Sequence, residues 1–398
     1  MREVGRNANL GWTTSRTLVG TTQGRLGGFP FALATPDPVP ITKISNQNDA
    51  CSSYLPLREP QGTIGPVANA LSLPGLDPGK ALFLPTDQTS PQHSYIGGMR
   101  VLSLFDGMSC GRIALDRAGK SVTSYLASEV DPYAMKVSAK NWPAIQQIGD
   151  VRHVTTAMTG HVDLLIGGSP CQSLTFSGKR VGLATSCKID VLTLDQYLDL
   201  KAKGFQFEGQ SYLFWEYMRI LKECEPKYFL LENVKMEERW KKVFTAAIGV
   251  QPVLINSNLF SAQNRQRLYW TNIPLNALPA SNPLVLQDIL ETNPVPAKYD
   301  LSAQHHAAFL KSYNWKHCPL NGKSKPLLAS YYKQPPHCPY IPWATSPSGY
   351  RRLTPLECER LQTITPEGYT TGVSETQRVK MLGNGWTAEV VAFLFANL

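Results

Sequence analysis

No stretch of about 18 consecutive apolar residues occurs in this chain, which excludes a membrane-spanning helix. The amino terminus, Met1 to Arg6, is polar and lacks the apolar core of a secretory signal. Eight cysteines are scattered without a paired framework, which fits free thiols in a reducing compartment. Periodic apolar pattern is also missing from residues 1–98. That stretch is rich in Gly, Pro, Ser and Thr, with breakers such as Pro36-Asp37-Pro38-Val39-Pro40 and Pro74-Gly75-Leu76-Asp77-Pro78-Gly79. Too little apolar surface is available there to offset the entropy of ordering, so it reads as an irregular extension. The glycine-bearing turn after the first convincing strand is not GxGxxG, and no phosphate-cradling lysine follows it, which disfavours a phosphate ligand.

What is present fits one large domain with a smaller one. The chain has 398 residues, 42% of them hydrophobic, enough for a sizeable core. Residues 1–98 hold 7 Lys/Arg against 6 Asp/Glu, so nearly all of the formal charge of +9 lies beyond them. A basic domain favours a polyanionic partner such as nucleic acid. Met99 stands directly before the first strand and reads as a natural start.

From Arg100 the texture is α/β. Val101 to Phe105 reads as a strand, followed by the turn Asp106-Gly107-Met108-Ser109-Cys110-Gly111 and a helix from Arg112 to about Ala118. A strand, a glycine turn and a helix make a nucleotide-type corner. A second strand, Ser124 to Ser128, ends in Glu129, and Asp150 follows another strand end at Ile148-Gly149. An acid after the second strand suits the two hydroxyls of a ribose. An acid after the third suits an exocyclic adenine amine. Singly, each reads as a solvated cap; together, in strand order, they favour an adenosine-bearing ligand.

The apolar run Asp163-Leu164-Leu165-Ile166 ends in Gly167-Gly168-Ser169-Pro170-Cys171-Gln172. A stiff turn thus carries Cys171 out at the carboxyl end of a strand, where ligands collect in open sheets. Cys171 is either a presented nucleophile or a small packed hydrophobe. A basic loop from Ser173 to Arg180 follows, then an insertion to Gln210 with a helix near Leu194 to Leu200. Tyr212 to Cys224 reads as an amphipathic helix, and Tyr228 to Leu231 as a strand delivering Glu232-Asn233-Val234 to the same edge as Cys171. Nucleophile and carboxylate together suggest attack with proton donation. Residues 253–260 and 267–273 read as an adjacent strand pair, with Arg265 and Arg267 alternating along the extended segment between them. Residues 271–350 break this rhythm, being proline-rich with interleaved lysines and aromatics, as in a loop-rich nucleic-acid surface. His317-Cys318-Pro319 recurs as His337-Cys338-Pro339, but adjacent His and Cys are not the usual zinc spacing, and no metal is expected. Leu353 to Gln362 begins a helix with a capping Thr354 and Pro355. Gly383-Asn384-Gly385-Trp386-Thr387 leads into the last apolar helix.

In their order, Phe105-Asp106-Gly107, Glu129, Gly149-Asp150-Val151, Gly167 to Gln172, Glu232-Asn233-Val234, Gln263 to Arg267, Leu353 to Gln362 and Gly383-Asn384 resemble the DNA (cytosine-5)-methyltransferases. In texture they are closest to the de novo branch and its phage relatives. Three departures stand out: the insertion after Cys171, the short region between Trp270 and Arg351, and residues 1–98, which match no part of the family. The resemblance implies a class I methyltransferase, Rossmann-like sheet with helices on both faces. It implies a catalytic domain in residues 99–270 and 351–398, and a small target-recognition region in residues 271–350. Implied too are S-adenosyl-L-methionine as methyl donor, double-stranded DNA as substrate, no membrane, no obligate protein partner, and the cytoplasm of a bacterial or phage-infected cell.

Carried over residue by residue, Phe105 stacks on the adenine, Glu129 holds the ribose and Asp150 the adenine amine. Asp106, Gly107 and Asn384 surround the methionine part. Gly111, Val130, Val151, Pro170 and Trp386 complete the cofactor set. Cys171 attacks C6 of a flipped cytosine, Glu232 serves N3, and Arg267 with Arg265 holds the base and its charge. Ser169, Gln172, Ser173, Asn233 and Gln263 are expected at the substrate, with Lys323, Lys325, Tyr331, Tyr332, Lys333 and Gln334 contacting DNA. Two other readings stay open: a tRNA cytosine-5 methyltransferase, and a non-catalytic DNA-binding relative.

Overall fold

The computed structural model describes residues 97–170, 174, 183–312 and 315–398. Residues 1–96 of the expected extension, the turn residues Cys171, Gln172 and Ser173, and the basic Lys179-Arg180 lie outside the described residues. Seven strands form the main sheet. They are β1 (Met99–Leu104), β2 (Val122–Ser128), β3 (Gln146–Gln147), β4 (Leu164–Gly168), β5 (Tyr228–Val234), β6 (Val253–Asn256) and β7 (Gln266–Thr271). Their order is β3-β2-β1-β4-β5-β7-β6. The first five are mutually parallel, and β7 runs antiparallel between β5 and β6. This is the expected α/β sheet.

Strand parity explains why the central strands read as unbroken apolar runs. Val101, Leu164, Ile166 and Leu230 join one core with the helices α1 (Cys110–Arg117) and α10 (Ala388–Phe395). The alternate residues Leu102, Leu104, Leu165 and Leu231 are equally buried, so both faces of the sheet are covered, as parallel strands require. Beyond β7, Trp270 stacks towards Phe244 and Phe214 of the helices α6 (Glu238–Ile248) and α5 (Phe214–Cys224), with ring centroids 5.4 Å and 3.6 Å apart along the series.

The insertion after the Cys171 turn is described from Leu183 onward. Its helix α4 (Leu194–Ala202) docks on α5 through Glu216, a fully buried carboxylate that accepts from Tyr197, Lys201 and Arg219. A charge so buried persists only when several donors surround it.

Residues 271–350 contain a short helix, α7 (Ala303–Leu310), and the hairpin of β8 (Tyr340–Pro342) and β9 (Tyr350–Arg352) amid turns. They are loop-rich, as expected, yet not a surface excursion. Leu286, Leu327, Tyr331, Cys338 and Tyr340 share one core with Leu353, Cys358, Leu361 and Leu382 from the following helices. Closest approach occurs at Gly383, in α9 (Glu375–Asn384), where an added Cβ would lie 2.2 Å from the backbone at Leu328 and Ala329.

The scattered-cysteine reading holds for Cys110, Cys224, Cys318, Cys338 and Cys358, which are free. Cys187 is disulfide-bonded instead, since spacing along a chain does not report which thiols meet in space. In the repeated pairs Cys318 and Cys338 are buried while His317 and His337 are exposed, so the ring and thiol of each pair face different surroundings. Among the described residues no helix is long and apolar enough to cross a membrane.

Candidate active site

The strand order reverses between β1 and β4, and a cleft of about 810 Å³ opens at the carboxyl ends of these strands. Strand β1 ends at Leu104, one residue earlier than the apolar pattern suggests, because Phe105 already turns with φ 57°. Gly107 and Ser109 are left-handed as well, at 60° and 65°. This tight turn brings Phe105, Asp106 and Gly107 to the cleft wall.

Asp106 is 8% exposed and accepts hydrogen bonds from Tyr125 Oη at 2.7 Å and Ser109 Oγ at 2.5 Å. Burial pushes its carboxyl up to about 6, against the pull of those hydroxyls and with help from the nearby Glu129 charge. Glu129, just past β2, ties the first two strand ends together. One oxygen accepts from Gly107 N–H at 2.8 Å, the other from the N–H groups of Val130 and Asp131 at 2.7 and 2.8 Å. Val130 itself is 65% exposed at the rim. Asp150 lines the cleft beside the buried Val151. Arg152 grips its carboxylate through Nε, 3.0 Å from each oxygen, and holds it below the usual carboxylate range.

At the other end of the cleft, Glu232 lies beside Gly168 in the β4–β5 register. It is 8% exposed, with Oε1 3.0 Å from Arg267 Nε and Oε2 3.1 Å from Trp386 Nε1. Asn233 points the opposite way and is almost fully buried. Its amide donates to the Ser169 carbonyl at 3.1 Å and Oγ at 3.0 Å, which pins the turn that runs through Pro170 into Cys171. Ser169, Pro170, Asn384 and Trp386 all border the cleft. Cys110 borders it too, but burial pushes this thiol up to about 12, so it is no nucleophile at neutral pH.

Several expected contacts take other places. Gly111 lies within α1, not on the cleft; an added Cβ would come 2.4 Å from Ile166 Cδ1, so its role is to let the helix press on the sheet. Gln263 is fully buried, donating to Leu361 O at 3.2 Å and accepting from Leu327 N–H at 2.7 Å, away from any substrate. Arg265 borders the cleft, yet its guanidinium reaches the carbonyls of Leu327, Gly383 and Gly385 at 2.8, 3.1 and 2.9 Å. That makes it a clamp between segments rather than a partner of Glu232. Tyr331 is 2% exposed and accepts from Leu353 N–H at 2.7 Å, and Lys323 Nζ donates to the carbonyls of Ser261, Asn282 and Leu284. Lys325 Nζ donates to Lys316 O near the surface. Tyr331 is thus turned into the fold, while the ammonium groups of the partly buried Lys323 and Lys325 are held by backbone carbonyls. Lys333 is exposed, with its ammonium 5.7 Å from the half-buried Tyr332 ring, and Gln334 follows at φ 54°.

Among the cleft residues that sequence reasoning missed are Arg152, Tyr212, Leu213 and Lys380. Arg152 carried a readable signal, a cation two residues from Asp150. Lys380, which pairs with Asp131 at 2.9 Å, gave none across so long a separation.

Residues 99–398 match the family model described as C-5 cytosine-specific DNA methylase. Among curated proteins, the chain is 32% identical over 190 residues to the orphan methyltransferase M.SPRI of Bacillus phage SPR, covering 44% of this chain and 37% of that protein. It is 28% identical over 323 residues to the type II methyltransferase M1.ScrFI of Lactococcus lactis subsp. cremoris, covering 72% of this chain and 74% of that protein. The chain thus spans about a third of the phage relatives that it matches, 37% and 32% of two of them. Among solved structures, the S. pombe Dnmt2 methyltransferase superposes with a TM-score of 0.56 at 16% identity, over 75% of this chain and 97% of that one. That likeness shows the fold: a class I methyltransferase sheet.

Proposed function

Since the chain belongs to the C-5 cytosine-specific DNA methylase family, we propose that it transfers a methyl group from S-adenosyl-L-methionine to C5 of cytosine in double-stranded DNA. The observation that carries this reading is the carboxylate of Glu232, fixed between Arg267 and Trp386 one strand away from the turn that leads into Cys171. The cleft suits the methyl donor as well. Its volume is that of a cofactor site, three acids stand at successive strand ends, and the desolvated Asp106 offers negative charge to a cationic amino-acid tail.

When bound, S-adenosyl-L-methionine supplies an electrophilic methyl group. Phe105 packs on the adenine, Glu129 takes the ribose hydroxyls, and Asp150 takes the adenine amine beside Val151. Asp106, Gly107 and Asn384 face the methionine part. A cytosine in a duplex is out of reach and is flipped out, at a cost of a few kcal/mol. Cys171 as thiolate adds to C6, and the displaced electron pair moves towards N3, where Glu232 donates a proton or hydrogen bond. Arg267 balances the charge on Glu232 and on the ring. C5 takes the methyl group. N3 returns its proton to Glu232, and loss of the C5 proton to solvent water then expels the Cys171 thiolate and restores the C5–C6 double bond.

Residues 99–270 and 351–398 form the catalytic part in this reading, and residues 271–350 recognise the target. Tyr332, Lys333 and Gln334 are among the groups there that can meet DNA. The bacterial and phage relatives favour a cytoplasmic setting and a role in DNA modification. Nucleoside mass spectrometry on DNA and RNA from a host expressing the chain tests the reading. New 5-methylcytosine in DNA supports it. The modified base in RNA alone moves the activity to tRNA-type substrates, and its absence from both, with tritiated donor in vitro also inert, overturns catalysis.

A further inference from the structure

Trp386 enters the site from the junction between α9 and α10, 154 residues from Glu232 in sequence. It is half-buried and packs against both hydrophobic cores, so its ring is held from two sides. The preceding Gly385 carbonyl accepts from Arg265 at 2.9 Å. The indole N–H thus points at Glu232 Oε2 from a ring that has little freedom to turn.

The approach is close enough to demand glycine opposite. A Cβ on Gly168 would lie 2.9 Å from Trp386 Nε1 and 3.1 Å from Glu232 Oε2. Gly168 and Glu232 are also register partners on adjacent parallel strands. A carboxylate held at one oxygen by Arg267 can still rotate about its last bond. Held at both oxygens by donors on different elements, its plane is fixed, and the remaining lone pairs keep one direction.

We propose that Trp386 is a positioning residue for Glu232: its indole N–H fixes the carboxylate plane that meets the cytosine N3 edge. The claim rests on the methyl-transfer reading above but is distinct from any stacking of the same ring on the cofactor. It separates the two faces of one side chain, ring surface for the donor and N–H for the acid.

The test uses the full chain and three variants, Trp386→Phe, Gly168→Ala and Glu232→Gln. Single-turnover methyl transfer to duplex DNA and donor affinity by calorimetry are measured on each. Trp386→Phe keeps an aromatic face and loses only the donor. Its single-turnover rate should fall about tenfold or more, the scale of a lost hydrogen bond to a charged group, with donor affinity within about threefold of the parent. Gly168→Ala, which pushes the same pair apart from the other side, should show the same split even if the first variant folds poorly. In Glu232→Gln the amide can offer its single oxygen to only one of the two donors, so adding Trp386→Phe should slow it little further. A parental rate in Trp386→Phe, a rate loss matched by an equal loss of donor affinity, or an equal loss in the Glu232→Gln background overturns the proposal. An inactive parent chain instead counts against the methyl-transfer reading itself.

Discussion

Asp106 gives a prediction whose size follows from its surroundings. Its carboxyl ionises at about 6 instead of the ordinary 3.8, chiefly because burial disfavours the charge. At 1.36 kcal/mol for each pH unit, that displacement is worth about 3 kcal/mol. The sign runs against the ionised state. Unfolded chains release this proton near pH 4, folded chains only near 6, so the folded state holds more protons in that window. Stability contributed by the neutral carboxyl is complete below about pH 4 and is lost as the pH rises through 6.

Asp106→Asn removes the titration while keeping the shape. Any fixed penalty from seating an amide among Ser109 and Tyr125 is the same at every pH. The variant-minus-parent stability should therefore rise by about 3 kcal/mol between pH 4 and pH 7.5. For a domain of this size that is a relative gain of several degrees in melting temperature. Thermal or urea unfolding of both ligand-free proteins across that range measures it. Parallel curves for the two proteins would refute the reasoning. At pH 7.5 the same variant should bind S-adenosyl-L-methionine more weakly, since it removes the charge that faces the cationic tail. A site that costs stability and returns affinity is a familiar trade.

Cys171→Ala should abolish methyl transfer and leave donor binding nearly intact, as calorimetry and tritium transfer can check together. Glu232→Gln should reduce turnover by about 10²–10⁴-fold with DNA affinity preserved, by gel shift and single-turnover assay. A chain of residues 99–398 should fold and methylate; insolubility or inactivity would make the preceding segment a structural part of the enzyme. In methylome sequencing of an expressing host, Lys333→Ala or Gln334→Ala should relax the methylated motif, whereas Lys323→Ala, which loses an internal staple, should lower yield without changing the motif.

The sheet was legible because its strands are buried on both faces and so stand out as apolar runs bounded by glycine and acids. The order β3-β2-β1-β4-β5-β7-β6 and the antiparallel β6–β7 pair agree with that reading. Residue type was legible and direction was not. Gln263, Lys323 and Tyr331 have the chemistry of DNA contacts, yet each satisfies backbone groups inside the fold. A lysine on a proline-stiffened loop looks the same in sequence whether it meets a phosphate or three carbonyls. Arg265 and Arg267 alternate as expected, but only Arg267 reaches Glu232. The difference lies in what stands opposite: the carbonyls of Leu327, Gly383 and Gly385 come from segments that local pattern cannot place.

Those same carbonyls explain why the proposed catalytic part is split along the chain. The segment that carries Trp386 to Glu232 must cross between the sheet and the core of residues 286–382, and it does so on two glycines. Gly383 admits the backbone at Leu328 and Ala329, and Gly385 lies within 3.2–3.3 Å of Cys110 Sγ and Met108 Cε at the position of an added Cβ. Arg265 then locks the crossing by holding both glycine carbonyls and Leu327 at once. One buried cation thereby ties the segment that carries Trp386 to the core beneath the proposed target-recognition region. Gly383→Ala, whose Cβ would meet the Leu328–Ala329 backbone, should therefore disturb both donor binding and turnover, unlike substitutions that touch Glu232 alone.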